Sequence, residues 1–229
     1  MIEKYYNGAV EQVLAGLGET AHNYLLVRYS GDFSVRDLTS VEQARAREDI
    51  FFREYEFTHG QVAGAYEPYL SILCDGFRRY MSGSFEEFLE KCDVYYLHRP
   101  VLLSYFNTGF CRREETILLD EAAYAQERMA AALEKMLLSL AEKHPLVILL
   151  NRFQLASKST MALTYRLLCR DNKNIGLLLG VSDIQSMPEF LIPEWEMIYE
   201  KMDEGSRVYH TGNCGTKKAE RFAGSQERV

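Results

Sequence analysis

The sequence predicts an α/β fold of three layers, with a mainly parallel sheet between helices. Three observations carry that expectation. Leu146-Val147-Ile148-Leu149-Leu150 is a short apolar run that starts after the helix stop His144-Pro145 and ends at the polar Asn151-Arg152. It shows no alternation, which is the pattern of a strand buried on both faces, the parallel-sheet type. Ile175-Gly176-Leu177-Leu178-Leu179-Gly180-Val181 repeats the pattern. Helical stripes precede and separate these runs: Ala122, Ala125, Met129, Ala132, Leu133, Met136, Leu137 and Leu140, then Met161, Leu163, Leu167 and Leu168. Strands alternating with helices close by right-handed crossovers, which place helices on both faces of a parallel sheet.

A chain of 229 residues can bury a substantial core, and 47% hydrophobic with 26% charged residues is ordinary for a globular protein. The net charge of -7 argues against a nucleic-acid surface, which needs clustered Lys and Arg. Apolar runs are too short for a membrane span. Met1-Ile2-Glu3-Lys4 lacks a signal-peptide layout. The five cysteines are odd in number, widely spaced and free of C-x-x-C, so neither a zinc site nor a disulfide framework is favoured. A reduced, cytoplasmic setting is expected.

Taken in order, Ile2, Tyr6, Val10, Val13, Leu14 and Leu17 give a first amphipathic helix, and Tyr24 to Tyr29 a first strand. Ser40-Val41-Glu42-Gln43 fits a capping box, which predicts a helix start at Ser40, with Ile50, Phe51 and Phe52 closing that segment. Arg53 to Gly60 alternates charge with aromatics and predicts a second strand centred on Glu54–Phe57. Pro68 suits the first turn of a helix that continues through Tyr69, Leu70, Leu73, Phe77 and Tyr80. Residues 82–143 read as a helical insertion between strands 2 and 3, with a capping box at Ser84-Phe85-Glu86-Glu87 and Pro100 opening a short helix. Arg112-Arg113-Glu114-Glu115 reads as a solvated cluster, and His59 as structural. Met187 to Met202 is a loop and helix holding the only Trp, Trp195, and residues 206–210 can form a fifth strand. One domain is expected over 1–210 and a disordered tail over 211–229.

In open α/β sheets, ligands sit beyond the carboxyl ends of the strands. There the chain reads Asn151-Arg152-Phe153-Gln154-Leu155-Ala156-Ser157, then Ser159-Thr160. This resembles the second nucleotide motif (Walker B) of the STAND or AAA-like P-loop ATPases of signalling and transcriptional regulators. Their pattern is an apolar run, Asp-Asp, apolar, Gln, Trp, Ala, Asp, then a Ser/Thr pair. The frame fits through Gln154 and Ala156, but both acids are replaced, by Asn151 and Arg152. The family's helix, strand and phosphate loop at the start also find counterparts, as does its Tyr-x-Pro-like segment at Tyr66-Glu67-Pro68. A working phosphate loop is G-x-x-x-x-G-K-[ST], often with a further Gly in the middle. Aligned on Gly31, the chain has Ser34 for the middle Gly, Arg36 for the second conserved Gly, Asp37 for Lys and Leu38 for Ser/Thr.

The resemblance implies a P-loop NTPase-like sheet of order 5-1-4-3-2, with a polar sensor position at Ser182-Asp183 after the fourth strand. It makes Gly31, Ser34, Arg36, Asp37, Asn151 and Arg152 vestigial nucleotide-site positions. No catalytic residue, metal ligand or cofactor is expected. The function implied is a catalytically inactive ATPase module, a regulatory or scaffold domain of a larger signal-transduction protein. Its partners would be other protein domains or its own copies, with no membrane and no nucleic acid. The chain ends before the family's helical lid would be complete, so a fragment or a truncated relative is expected. The alternative is a regulatory ATPase that binds ATP and Mg²⁺ through an altered loop. A Rossmann-like small-molecule enzyme lacks support, because neither G-x-G-x-x-G after the first strand nor G-x-S-x-G is present.

Overall fold

Two strands buried along their whole length form the centre of the sheet, β3 (Leu146–Asn151) and β4 (Ile175–Val181). A computed structural model of the chain describes residues 2–29, 34–59, 64–109, 119–182, 187–205 and 208–210. Gly31, the 112–115 charge cluster and the 211–229 segment lie outside the described residues. Around the central strands the order is α1 (Ile2–Gly16), β1 (Asn23–Arg28), α2 (Thr39–Ala46), β2 (Phe51–Glu56), α3 (Tyr69–Tyr80), α4 (Phe85–Lys91), α5 (Arg99–Thr108) and α6 (Leu119–Lys143). After β3 comes α7 (Lys158–Cys169), and after β4 come α8 (Ile192–Glu204) and the short β5 (Val208–His210). All pairings are parallel. The sheet runs β2-β3-β4-β1, with β5 beside β1.

Successive strand residues point to opposite faces. Leu146, Ile148, Leu150, Leu177 and Leu179 therefore join the larger core beneath α3, α6, α7 and α8. Val147, Leu149 and Leu178 join Leu25 and Val27 in a second core under α1 and α2. The α6 stripe faces inward as its spacing predicts: Leu133, Met136, Leu137 and Leu140 are fully buried. The next residue on α6 from Leu133 is a buried carboxylate, Glu134, 2% exposed. It accepts from Arg166 Nε at 2.8 Å and from Arg170 Nε, both on α7. This pair of guanidiniums ties the long helix to α7. Phe77, Phe85, Phe88 and Phe106 interlock α3, α4 and α5, with Phe85 and Phe106 stacked at 4.2 Å. The Ser84 capping box forms as its sequence predicts.

Two local expectations are corrected. Helix α2 starts at Thr39, and Ser40 lies buried in its first turn with no capping side chain. Its amide instead donates to Asn7 Oδ1 of α1 at 2.8 Å, so a tertiary acceptor replaces the local box. Phe51 and Phe52 do not close a helix. They open β2, because the Phe51 amide donates to the Pro145 carbonyl at 2.7 Å and its ring is buried against Tyr80. The second strand is thus Phe51–Glu56, earlier than the Glu54–Phe57 reading.

Strand β2 is an edge of the sheet. The amides of Phe51 and Phe57 both bond β3 or its approach, so the backbone of Phe52, Glu54 and Glu56 faces the open side. There Arg53 Nη1 donates to the Phe52 carbonyl at 3.3 Å. Its guanidinium lies over the Phe51 ring at 4.5 Å and reaches Asp75 of α3 at 3.4 Å. Among the described residues, no helix is long and apolar enough to cross a membrane.

Candidate functional site

The carboxyl ends of β1 and β3 converge where α/β sheets bind ligands. Asn151, the last residue of β3, is 2% exposed and its amide must find partners there. Its Oδ1 accepts from the Tyr29 hydroxyl at 2.7 Å, and its Nδ2 donates to Ser34 Oγ at 3.2 Å. Ser34 caps a single 3-10 turn, Val35–Asp37, through the Arg36 amide. Gly180 of β4 makes room for this arrangement: a Cβ there would stand 2.6 Å from Asn151 Oδ1. Burial pushes the Tyr29 phenol up, partly offset by Arg152, so the hydroxyl stays a neutral donor.

Arg36 leaves this cluster and spans to the edge strand. Its Nη1 donates to Glu56 Oε2 at 2.6 Å and its Nη2 to Glu54 Oε1 at 2.8 Å. Glu54 and Glu56 are two apart on β2 and so share a face, which sets both carboxylates toward the fork. Arg45 of α2 takes the other Glu54 oxygen through Nε at 2.9 Å and donates to the Arg36 carbonyl at 3.1 Å. Arg152, in the left-handed region at φ 53°, brings its Nε to 3.5 Å from Glu56 Oε1. Burial acts upward on the Glu54 carboxyl, but hydrogen bonds from Arg45 and Arg36 outweigh it and hold the group below the usual carboxylate range. The same carboxylates, Glu56 foremost, push the Arg36 guanidinium up.

The structure therefore brings Ser34, Arg36, Asn151 and Arg152 together across more than a hundred residues of sequence. Asp37 is exposed at the end of the 3-10 turn. Gly31 lies outside the described residues. Beside this cluster, Gln154 is buried and donates Nε2 to Ser182 Oγ at 2.8 Å, tying the turn after β3 to the end of β4. Sequence reasoning missed Tyr29, Arg45, Glu54 and Glu56 as members. The alternation of acids and aromatics in β2 was the only signal for the two carboxylates. Chemically, the cluster presents three guanidiniums that share two carboxylates, and amide oxygens already filled by donors. Among the described residues, no group of three His, Cys, Asp or Glu side chains is placed to hold a metal ion. No protein-family model matches the chain, and no curated protein matches it.

The ion-pair network yields a measurable expectation. Because Glu54 is held below its unfolded value, its pairing contributes above about pH 4, the ordinary carboxylate range, and is lost as pH falls through the lowered value. Both partners are partly exposed, so a double-mutant cycle on Arg36→Ala and Glu54→Ala should give a coupling of about 0.5–1 kcal/mol at pH 7. Urea unfolding should show the coupling shrink in high salt and fade as pH falls through the lowered Glu54 value. A coupling that persists under acid would mean the contact is not ionic.

Proposed function

We propose that this chain is a P-loop NTPase-like domain of the STAND or AAA-like type that has lost nucleotide chemistry. It serves as a regulatory or scaffold module of a larger cytoplasmic signal-transduction protein, through contacts with other protein domains or its own copies. The observation that carries this reading is the internal satisfaction of the loop position Arg36, whose guanidinium is held by Glu54 and Glu56. A strand order of β2-β3-β4-β1-β5 supports the resemblance, since it reads 5-1-4-3-2 from the other edge. The convergence of Ser34 with Asn151 supports the alignment of loop and strand motifs.

Phosphoryl transfer depends almost wholly on positioning and charge stabilisation. Of the aligned phosphate-loop positions only Gly31 keeps the family's residue, and the groups that carry the chemistry are missing. Asp37 brings repulsion where Lys would attract the phosphates, and Leu38 cannot ligate Mg²⁺. Asn151 offers a neutral oxygen already bonded to Tyr29, and Arg152 offers no acceptor for water. Isothermal titration with ATP, ADP and GTP, each with Mg²⁺, should show no binding tighter than about 1 mM. Asp37→Lys or Asn151→Asp alone should restore nothing, because each leaves the other half of the site unmade. A micromolar dissociation constant abolished by Arg36→Ala would instead favour a nucleotide-binding ATPase with an altered loop.

A further inference from the structure

Large apolar side chains exposed singly need no explanation, but a cluster of them marks an interaction surface. Among the described residues seven stand exposed, and four of them, Tyr95, Tyr96, Leu97 and Tyr124, meet at one place. They lie on the turn between α4 and α5 and on the adjoining part of α6. The row is continuous. The Tyr95 and Tyr96 rings are 4.7 Å apart, and the Arg128 guanidinium lies over Tyr95 at 4.5 Å and over Tyr124 at 4.3 Å. It is also held in place. The His98 amide donates to the Tyr95 carbonyl at 2.9 Å, Arg99 Nε donates to the Val94 carbonyl at 2.9 Å, and the buried His98 ring meets Tyr95 edge-on at 5.7 Å. Tyrosines fixed in this way offer a large contact area at little further cost in conformational entropy.

The polar groups of the row are donors. Among the described residues Arg128 has no carboxylate partner, and its Nη2 donates to the Tyr124 hydroxyl at 2.9 Å. With its oxygen engaged, that hydroxyl has its own hydrogen left to give. The carboxylates nearby are taken up: Asp93 pairs with Lys135 at 3.6 Å and Glu90 with Arg99 at 3.1 Å. Glu127, next to Arg128 in sequence, lines the cleft toward α7. The complementarity on offer is therefore one of partial charge, aromatic faces beside outward N–H and O–H hydrogens. A matching partner brings carbonyl oxygens and few N–H groups that would be left unpaired. A proline-rich chain in the polyproline II form has those properties. It makes no internal hydrogen bonds, its prolines carry no N–H, and its rings pack on aromatic grooves. A second copy of this surface does not match, because two-fold pairing sets the same donors against each other.

We propose that the row Tyr96, Tyr95, Arg128 and Tyr124 binds a proline-rich segment of a partner protein in the polyproline II form. The proline rings lie on the tyrosines, and the carbonyls accept from the Tyr124 hydroxyl and the Arg128 guanidinium. The row is separate from the Asn151 cluster, so its test does not depend on the nucleotide reading.

Isothermal titration of the full chain with acetyl-decaproline amide should give saturable binding tighter than about 1 mM. A capped glycine-serine peptide of the same length, flexible and rich in N–H groups, should show no binding in that range. Tyr96→Ala and Tyr124→Ala should each weaken decaproline about fivefold or more, the loss expected at an interface anchor. Tyr124→Phe keeps the ring and removes the donor, and should weaken it about two- to tenfold. Phe190→Ala, at an exposed aromatic elsewhere, should change nothing. Tyr96 and Tyr124 are 64% and 58% exposed, so the melting temperature should hold in these variants; if an alanine variant lowers it, Tyr124→Phe carries the comparison. Absence of saturable decaproline binding overturns the proposal. So does equal binding of the glycine-serine peptide, or an affinity that none of the tyrosine variants moves. Sedimentation showing a dimer that Tyr96→Ala abolishes would assign the row to a second copy and overturn it as well.

Discussion

Replacing Leu133 by Asp is expected to unfold most of the domain at 25 °C. Leu133 is fully buried on α6, in the larger core with Met136, Leu137 and Leu140. The substitution loses about 1.5–3 kcal/mol of apolar burial, leaves a partial cavity, and places a carboxyl where it has no partner. Together these reach about 5 kcal/mol or more, comparable with the whole stability of an ordinary domain. Leu133→Ala should cost less, about 2–5 kcal/mol. Lys135→Gln, on the exposed side of the same helix, should stay within about 0.5 kcal/mol. Thermal and urea unfolding separate these cases. A melting temperature unchanged in Leu133→Asp would mean that the stripe does not face the core.

The second large effect concerns Glu134. Its carboxylate is buried and held by guanidiniums from the next helix. Removing both arginines, Arg166→Ala with Arg170→Ala, leaves a buried charge unpaired and should cost about 3–5 kcal/mol at pH 7. Arg170→Ala alone should cost much less, because its side chain is 60% exposed and Arg166 remains. Adding Glu134→Gln to the double variant should recover most of the loss, since the charge is then gone. If the double variant lies within about 1 kcal/mol of the parent, the pairs do not hold α6 to α7.

The central sheet was legible because its strands are buried on both faces, and uniform apolar runs such as Leu146–Leu150 have few other meanings. The α6 stripe was legible for the matching reason, a period of 3.6 sustained over several turns. The errors fell where a distant residue decides the outcome. Asn7 replaces the Ser40 box, and the Pro145 carbonyl draws Phe51 into the sheet. At the candidate site, motif alignment placed Ser34 and Asn151 at one location. It did not reveal that Arg36 would cross to Glu54 and Glu56, because that contact depends on the sheet order and on no local pattern. Glu134 was invisible for the opposite reason: a lone Glu inside an apolar stripe looks like surface until its two partners on α7 are placed.

The Arg53-Glu54 pair on the open edge of β2 also governs how this molecule meets its own copies. Two identical edge strands that extend one sheet do so antiparallel about a two-fold axis normal to it, which keeps each face on its own side. Residues that meet must then differ by an even number of positions. The two registers that keep most of Phe51–Glu56 paired set Arg53 against Arg53 or Glu54 against Glu54. Like charges directly opposite are destabilising, and the Arg53 guanidinium already occupies the Phe52 carbonyl that an incoming strand would need. Among the described residues, this edge therefore resists templated growth through its own side chains.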